Sequence, residues 1–236
     1  MPQTHPAPLT RRQCAWRLAW LCALCGALYR ASNQISAARA DAHGGVLAWD
    51  HAIPFVDWTV WPYLSILLPF AAAFLRCRER RSLDLLSLRL LLALGLALAC
   101  YALVPLRFAF ERPATAGLTG HLFQGLAAFD LPYNRAPSLH IAVLVILWSP
   151  LAGPLRGWRR GLLAGWFGLI AVSVLTTWQH HLIDVPAGLA LGLVTLALTP
   201  PRRAAQASAW LASTSARTAS VSSAFRPAKT GVVFTE

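Results

Sequence analysis

Three short patterns in the chain hold residue types that can do chemistry together: Arg107-Phe-Ala-Phe-Glu-Arg112-Pro113, Pro132-Tyr-Asn-Arg135-Ala-Pro137-Ser138-Leu-His140 and Gln179-His180-His181-Leu-Ile-Asp184. In the last of these, a histidine and an aspartate four residues apart can share one helix face. The carboxylate of Asp184 can then accept from one ring nitrogen of His180, leaving the other free as a nucleophile. His140, on a separate element, can protonate a leaving oxygen. Guanidinium forks match a tetrahedral phosphate bidentately, which suits Arg112, Arg107 and Arg135. Two histidines, one aspartate and arginines spell phosphoryl transfer through a phosphohistidine. That chemistry needs no metal ion and no other cofactor.

Ordinary roles compete with the chemical ones. Asp184 can cap the last helix, with Pro186 in its first turn, and still orient His180. Ser138 can cap the helix that begins at Leu139 and also bond phosphate. Arg112 can pair with Glu111 or with lipid headgroups. His181 rivals His180, but only His180 has an aspartate at the four-residue spacing. His121 reads as a loop histidine.

The elements that must position these residues follow from composition. The chain has 236 residues, 56% hydrophobic and only 13% charged, with a net charge of +12. A soluble domain has about a quarter of its residues charged. Nucleic-acid binders gather base on solvated faces, whereas here short arginine clusters separate long apolar runs. An integral membrane protein is expected, with membrane lipids around it and no nucleic acid. Six runs read as membrane helices, roughly 14–29, 59–75, 85–108, 139–155, 162–178 and 185–198. Arg11 and Arg12 precede the first run as in a signal peptide, but no small-x-small cleavage pattern follows, so an uncleaved helix is expected. The last run carries Gly188-x-x-x-Gly192, a face suited to close packing. Cys22 and Cys25 form a C-x-x-C with no second pair or histidine nearby, and all five cysteines read as small apolar side chains.

The fold class expected is all-α, a six-helix bundle with two long outer loops at 30–58 and 109–138. With the N-terminus in the cytoplasm, thirteen arginines flank the inner ends. Only Arg30, Arg39, Arg107, Arg112 and Arg135 lie outside. The positive-inside rule therefore sets both termini in the cytoplasm. All three patterns then fall on the outer side. Trp49, Phe55, Trp58, Trp61 and Tyr63 in and after the first outer loop read as an interfacial belt. Residues 1–13 read as a cytoplasmic arm, 14–200 as the membrane domain, and 201–236 as a mostly disordered Ala/Ser/Thr-rich tail.

The ordered trio Arg112-Pro113, Pro137-Ser138-Leu139-His140 and His180-x-x-x-Asp184 resembles the signature of the type 2 phosphatidic acid phosphatase superfamily. Its wording is closer to the branch that includes inositol-phosphoceramide-synthase-like proteins and bacterial membrane phosphatases, as is Ile53-Pro-Phe-x-x-Trp58-Thr-Val-x-Pro62-Tyr63. The likeness covers roughly residues 10–200. It implies a metal-independent phosphatase acting on a lipid-linked phosphate or diphosphate at the outer face of a bacterial inner membrane. In that reading His180 is the nucleophile, His140 the general acid and Asp184 the orienting carboxylate. Arg112, Ser138, Arg107 and Arg135 would hold the phosphate. Two departures touch the phosphate cradle: the family's first-motif lysine falls at Pro105, and its third-motif arginine falls at Val174. Transfer to a lipid or inositol-type acceptor, and a non-catalytic lipid-phosphate transporter or scaffold, are the alternative expectations.

Overall fold

In the computed structural model, which describes residues 8–201, the first helix starts where Thr10 and Gln13 form a capping box. The Gln13 N–H donates to Thr10 Oγ1 at 3.2 Å, and the Thr10 N–H to Gln13 Oε1 at 2.8 Å. Two orphan donors of the helix start are thus used, and α1 runs Arg11–Ala37. Expectations for residues before 8 and for the tail from 202 onward, Arg202, Arg203 and Lys229 included, lie outside the described residues.

After β1 (His43–Gly44) the chain makes a short 3-10 turn at Ala48–Ala52 and then rises through Asp57–Arg76. That rise is broken once, between α2 (Val60–Leu64) and α3 (Leu67–Arg76). Pro69 has no N–H to give the Ser65 carbonyl, and the Leu68 N–H takes that carbonyl instead at 2.9 Å. α4 spans Arg80–Leu103 and stops ahead of Pro105, because the residue before a proline is forced from the helical region. The expected run to residue 108 is therefore shorter, and β2 (Leu106–Arg107) pairs in parallel with β1. The second long loop expected, 109–138, is not irregular throughout: it contains α5 (Gly117–Phe129). α6 (Leu139–Ala152), α7 (Trp158–Thr176) and α8 (Asp184–Leu198) complete the described chain.

The protein is thus mostly helical, and every expected apolar run is helical over most of its length. Among the described residues Asp57–Arg76, α4 and α7 are long and apolar enough to cross a membrane, at 20, 24 and 19 residues, whereas α1, at 27 residues, is long enough but not apolar enough. α6 and α8 are apolar but shorter, at 14 and 15 residues. At about 1.5 Å per residue, helices of that size fall short of a hydrocarbon core of roughly 30 Å.

α8 crosses α6 at the two glycines. A Cβ on Gly188 would lie 2.4 Å from the Ser138 carbonyl oxygen, and one on Gly192 would lie 2.7 Å from the Val145 Cβ. The absent side chains let two backbones meet, and the Ser138 N–H donates to the Asp184 carbonyl at 3.1 Å. That contact brings the second and third patterns together. Further ties collect other segments at the same end: the Val56 N–H donates to the Thr176 carbonyl at 2.8 Å, and the Phe108 N–H to the Pro132 carbonyl at 2.7 Å. At the opposite end, the Leu9 N–H donates to the Arg78 carbonyl at 2.8 Å, and the Arg89 guanidinium reaches Thr199.

Candidate active site

α8 begins at Asp184, and the six residues before it form an irregular turn. The Gln179 and His180 N–H groups both reach back to the Val174 carbonyl, at 3.2 and 3.0 Å. In this turn His180 Nδ1 lies 3.1 Å from Asp184 Oδ2, and both side chains are buried. The same carboxylate oxygen accepts the His181 N–H at 2.9 Å. Asp184 therefore does not cap its own helix: its carboxylate folds back onto the histidine turn, and α8 has no side-chain cap. With Nδ1 donating to carboxylate, Nε2 of His180 is the ring position left to act.

His140 sits in the first turn of α6, stacked on Tyr63 with ring centroids 4.1 Å apart. Its centroid is 6.5 Å from that of His180. Attack by one nitrogen at about 3–3.5 Å and proton donation by another across about 2.6–3.2 Å require such closeness. Tyr63 was expected in an exposed belt, and the structure corrects this: it is buried against His140. Phe55 leaves the belt as well, packing between Phe123 and Trp178, while Trp49, Trp58 and Trp61 are exposed.

The arginines part company. Arg112 donates from Nε to the Thr177 carbonyl at 3.2 Å and lies over the Phe123 ring at 4.9 Å. Burial, and then the charge of Arg135, pull its pKa below the ordinary arginine value. Arg135 is buried, donates to the Gln179 and Leu131 carbonyls and lies 4.0 Å from Asp130. Two guanidinium groups that raise each other's energy favour an anion beside them. Arg107 does not join them. It is exposed on β2 with no side-chain hydrogen bond among those of the described residues. Ser138 stands at the N-cap position of α6 but makes no cap bond, and its Oγ is buried without a partner. Arg135 Nε, His181 Nδ1 and Asp184 Oδ1 share that condition. Unpaired buried polar atoms are rare in folded proteins, and of the five among the described residues these four belong to the second and third patterns, the fifth being Asn33 Oδ1 on α1. His121 is exposed on α5, away from this cluster.

Below the two histidines lies a cavity of about 390 Å³, walled by α1 through α6. Its lining includes His140, His180, Asp130 and the tyrosines 29, 63 and 101 together with Leu67, Phe70, Leu94 and Val143. Asp130 was not foreseen. Its Oδ1 accepts from Tyr29 Oη at 2.9 Å and Asn33 Nδ2 at 2.8 Å, tying the second pattern to α1. Ser36 Oγ adds a bond to Asn134 Oδ1 at 2.8 Å. Asn134 has φ +57°, a left-handed conformation that asparagine tolerates. Asp50, from the first outer loop, was missed as well. Its carboxylate is buried beside the histidine turn and accepts the Leu182 N–H at 2.7 Å. No spacing in the sequence marks either aspartate, since Tyr29 and Asn33 reach Asp130, and Leu182 reaches Asp50, from distant segments.

Among the described residues no three His, Cys, Asp or Glu side chains are grouped to hold a metal ion. The arrangement offers a carboxylate-oriented imidazole, a second imidazole, two cationic forks and an apolar cavity. Compared with protein-family models, with curated proteins and with solved structures, the chain finds no match.

Proposed function

We propose that this chain is an integral membrane phosphatase of the type 2 phosphatidic acid phosphatase kind, which hydrolyses a lipid-linked phosphate or diphosphate through a phosphohistidine. The observation that carries the reading is the pair of imidazoles 6.5 Å apart, one held by Asp184 at 3.1 Å, both lining an apolar cavity. A water-soluble phosphate ester would have no use for such a cavity, whereas the chain of a lipid fits walls made of leucine, valine and phenylalanine.

His180 Nε2 attacks phosphorus, the bond from phosphorus to the lipid oxygen breaks, and His140, which takes up a proton beside the bound phosphate anion, gives that proton to the lipid oxygen. Water then loses a proton to His140 and attacks the phosphohistidine, releasing phosphate and restoring His180. Arg112 and Arg135 stabilise the charge on the equatorial oxygens. Arg135 bonds the turn that carries His180, so it supplies a cation to a third pattern that has Val174 where the family has arginine. Ser138 Oγ, buried and unpaired, is a further donor for phosphate.

In this proposal the six apolar helical runs cross a bacterial inner membrane with both termini in the cytoplasm, and the site opens to the periplasmic face. Support comes from the arginine count and from the clustering of all three patterns at the end opposite the arginine-rich turns. Exposed Trp49, Trp58 and Trp61 near the site, and Trp16 and Trp158 toward the other end, suit two membrane interfaces.

The test is phosphate release by the purified protein from phosphatidic acid and prenyl diphosphates. His180→Ala is expected to lower turnover at least about 1000-fold, and a chelator is expected to leave the wild type unchanged. Full activity in His180→Ala would sink the nucleophile assignment, and loss with chelator would indicate a metal enzyme. Binding of lipid phosphate without turnover, surviving the loss of His180, would favour the transporter or scaffold. Phosphoryl transfer to an added alcohol at the expense of phosphate release would favour the transferase.

A further inference from the structure

The turn between α7 and α8 carries His180, and its backbone donors can be counted. His180 N–H goes to Val174, His181 N–H to Asp184, and Asp184 N–H to the His181 carbonyl. Between these, the Leu182 N–H has Asp50 Oδ1 as its partner, at 2.7 Å. Asp50 comes from the first outer loop, 132 residues earlier. Its other oxygen accepts the Leu47 N–H at 2.7 Å, which fixes the carboxylate within its own loop. The same oxygen faces His181 Nδ1 at 3.6 Å, longer than a hydrogen bond. His181 in turn accepts the Ala109 N–H at Nε2, 3.3 Å away, and stacks on Phe108 at 4.3 Å. Ala109 is three residues from Arg112. One buried carboxylate therefore links the first outer loop, the segment with the phosphate-facing arginine and the turn with the nucleophile.

A carboxylate 2% exposed in an outer loop is costly unless its bonds serve a purpose. Of its two backbone partners, one lies in its own loop and the other two residues from His180. Resting on the phosphatase reading, we propose that Asp50 is a positioning residue of this site, which holds the His180 turn in register with the Arg112 segment through the Leu182 N–H and His181. It touches no substrate. Its effect appears in the rate of phosphoryl transfer, since a displacement of the nucleophile by about 1 Å costs on the order of 100-fold.

Asp50→Ala removes both acceptors, while Asp50→Asn keeps one oxygen for the Leu182 N–H. With the lipid phosphate turned over best by the wild type, Asp50→Ala is expected to lower kcat by about 10- to 100-fold with KM within about threefold, and Asp50→Asn to recover part of the loss. A second readout needs no turnover: the rate at which diethyl pyrocarbonate modifies His180, followed by mass spectrometry of its peptide. Loosening of the turn in Asp50→Ala raises that rate severalfold, while modification of exposed His121 stays as in the wild type. A kcat within twofold of wild type together with an unchanged His180 rate overturns the proposal. Equal increases at His180 and His121 also overturn it, because they report general unfolding. If the wild type turns over no phosphate, the phosphatase reading falls while the His180 rate still decides on Asp50.

Discussion

The two ends of the bundle handle charge in opposite ways. At the arginine-rich end, Arg17 and Asp84 pair at 2.9 Å with side chains 36% and 48% exposed, and Arg80 reaches the same carboxylate at 3.9 Å. Water screens such pairs, which contribute little to stability. At the histidine end, Arg135, His180, His181, Asp50 and Asp184 are all under 9% exposed, and several of their polar atoms have no partner. Charge at one end is left in contact with water. At the other it is held in low dielectric, where each contact is stronger and each missing one more costly.

The comparison breaks most sharply at Arg112. Arg112→Ala is expected to lower kcat/KM by about 100-fold, as losing one donor to developing charge does elsewhere. Arg112→Lys should recover only part of this, because an ammonium lacks the fork. Equal activity in all three forms would remove Arg112 from the site.

Gly188→Ala tests the crossing that joins the two patterns. Its methyl would meet the Ser138 backbone oxygen at 2.4 Å, and backbone gives way less easily than a side chain. A destabilisation of about 1–3 kcal/mol is expected in denaturant titration, with activity falling as His140 and His180 move apart. Gly95→Ala, where a Cβ meets nothing within 4 Å, is the control and should change neither.

Stability against pH separates the ends further. Burial pushes the His181 pKa below the usual imidazole value, outweighing the opposing pull of Asp50 and Asp184. The contribution is complete above the unfolded value of about 6.5 and is lost as pH falls through and below it toward the depressed folded value. Wild type should therefore lose unfolding free energy between about pH 6.5 and 5 faster than His181→Phe does. Parallel curves would mean His181 is as free to protonate in the fold as in the unfolded chain.

At the arginine end the effects fall on stability alone. Arg89 donates to the Thr199 hydroxyl and carbonyl at 3.1 and 2.9 Å, binding the end of α8 to α4. Arg89→Met should cost about 1–3 kcal/mol of stability and leave kcat alone. Arg17→Gln should shift stability by less than about 1 kcal/mol. A loss of kcat in either variant would show that the two ends are coupled rather than separate.

Much of this was legible along the chain because its causes are local. Apolar runs made the helices, the arginine clusters marked one end, and the four-residue spacing of His180 and Asp184 foretold their contact. Gly188 and Gly192 announced a close crossing. The errors have causes too. The 85–108 run was read past Pro105 on apolarity alone, although a proline governs the residue before it. Tyr63 looked like a belt residue because an aromatic near an interface reads alike whether it faces lipid or a histidine.

What the sequence by itself determined is the helical, largely apolar character of the chain and the residue types available to its candidate site, since periodicity and composition act within a few turns. Which of those residues meet was decided only by tertiary structure. Arg135 reaches the His180 turn and Arg107 does not, and Asp50 and Asp130 arrive from segments far away in the chain. Long-range meetings depend on which helices can approach closely, and here that depends on two glycines whose missing side chains let α8 lie against α6.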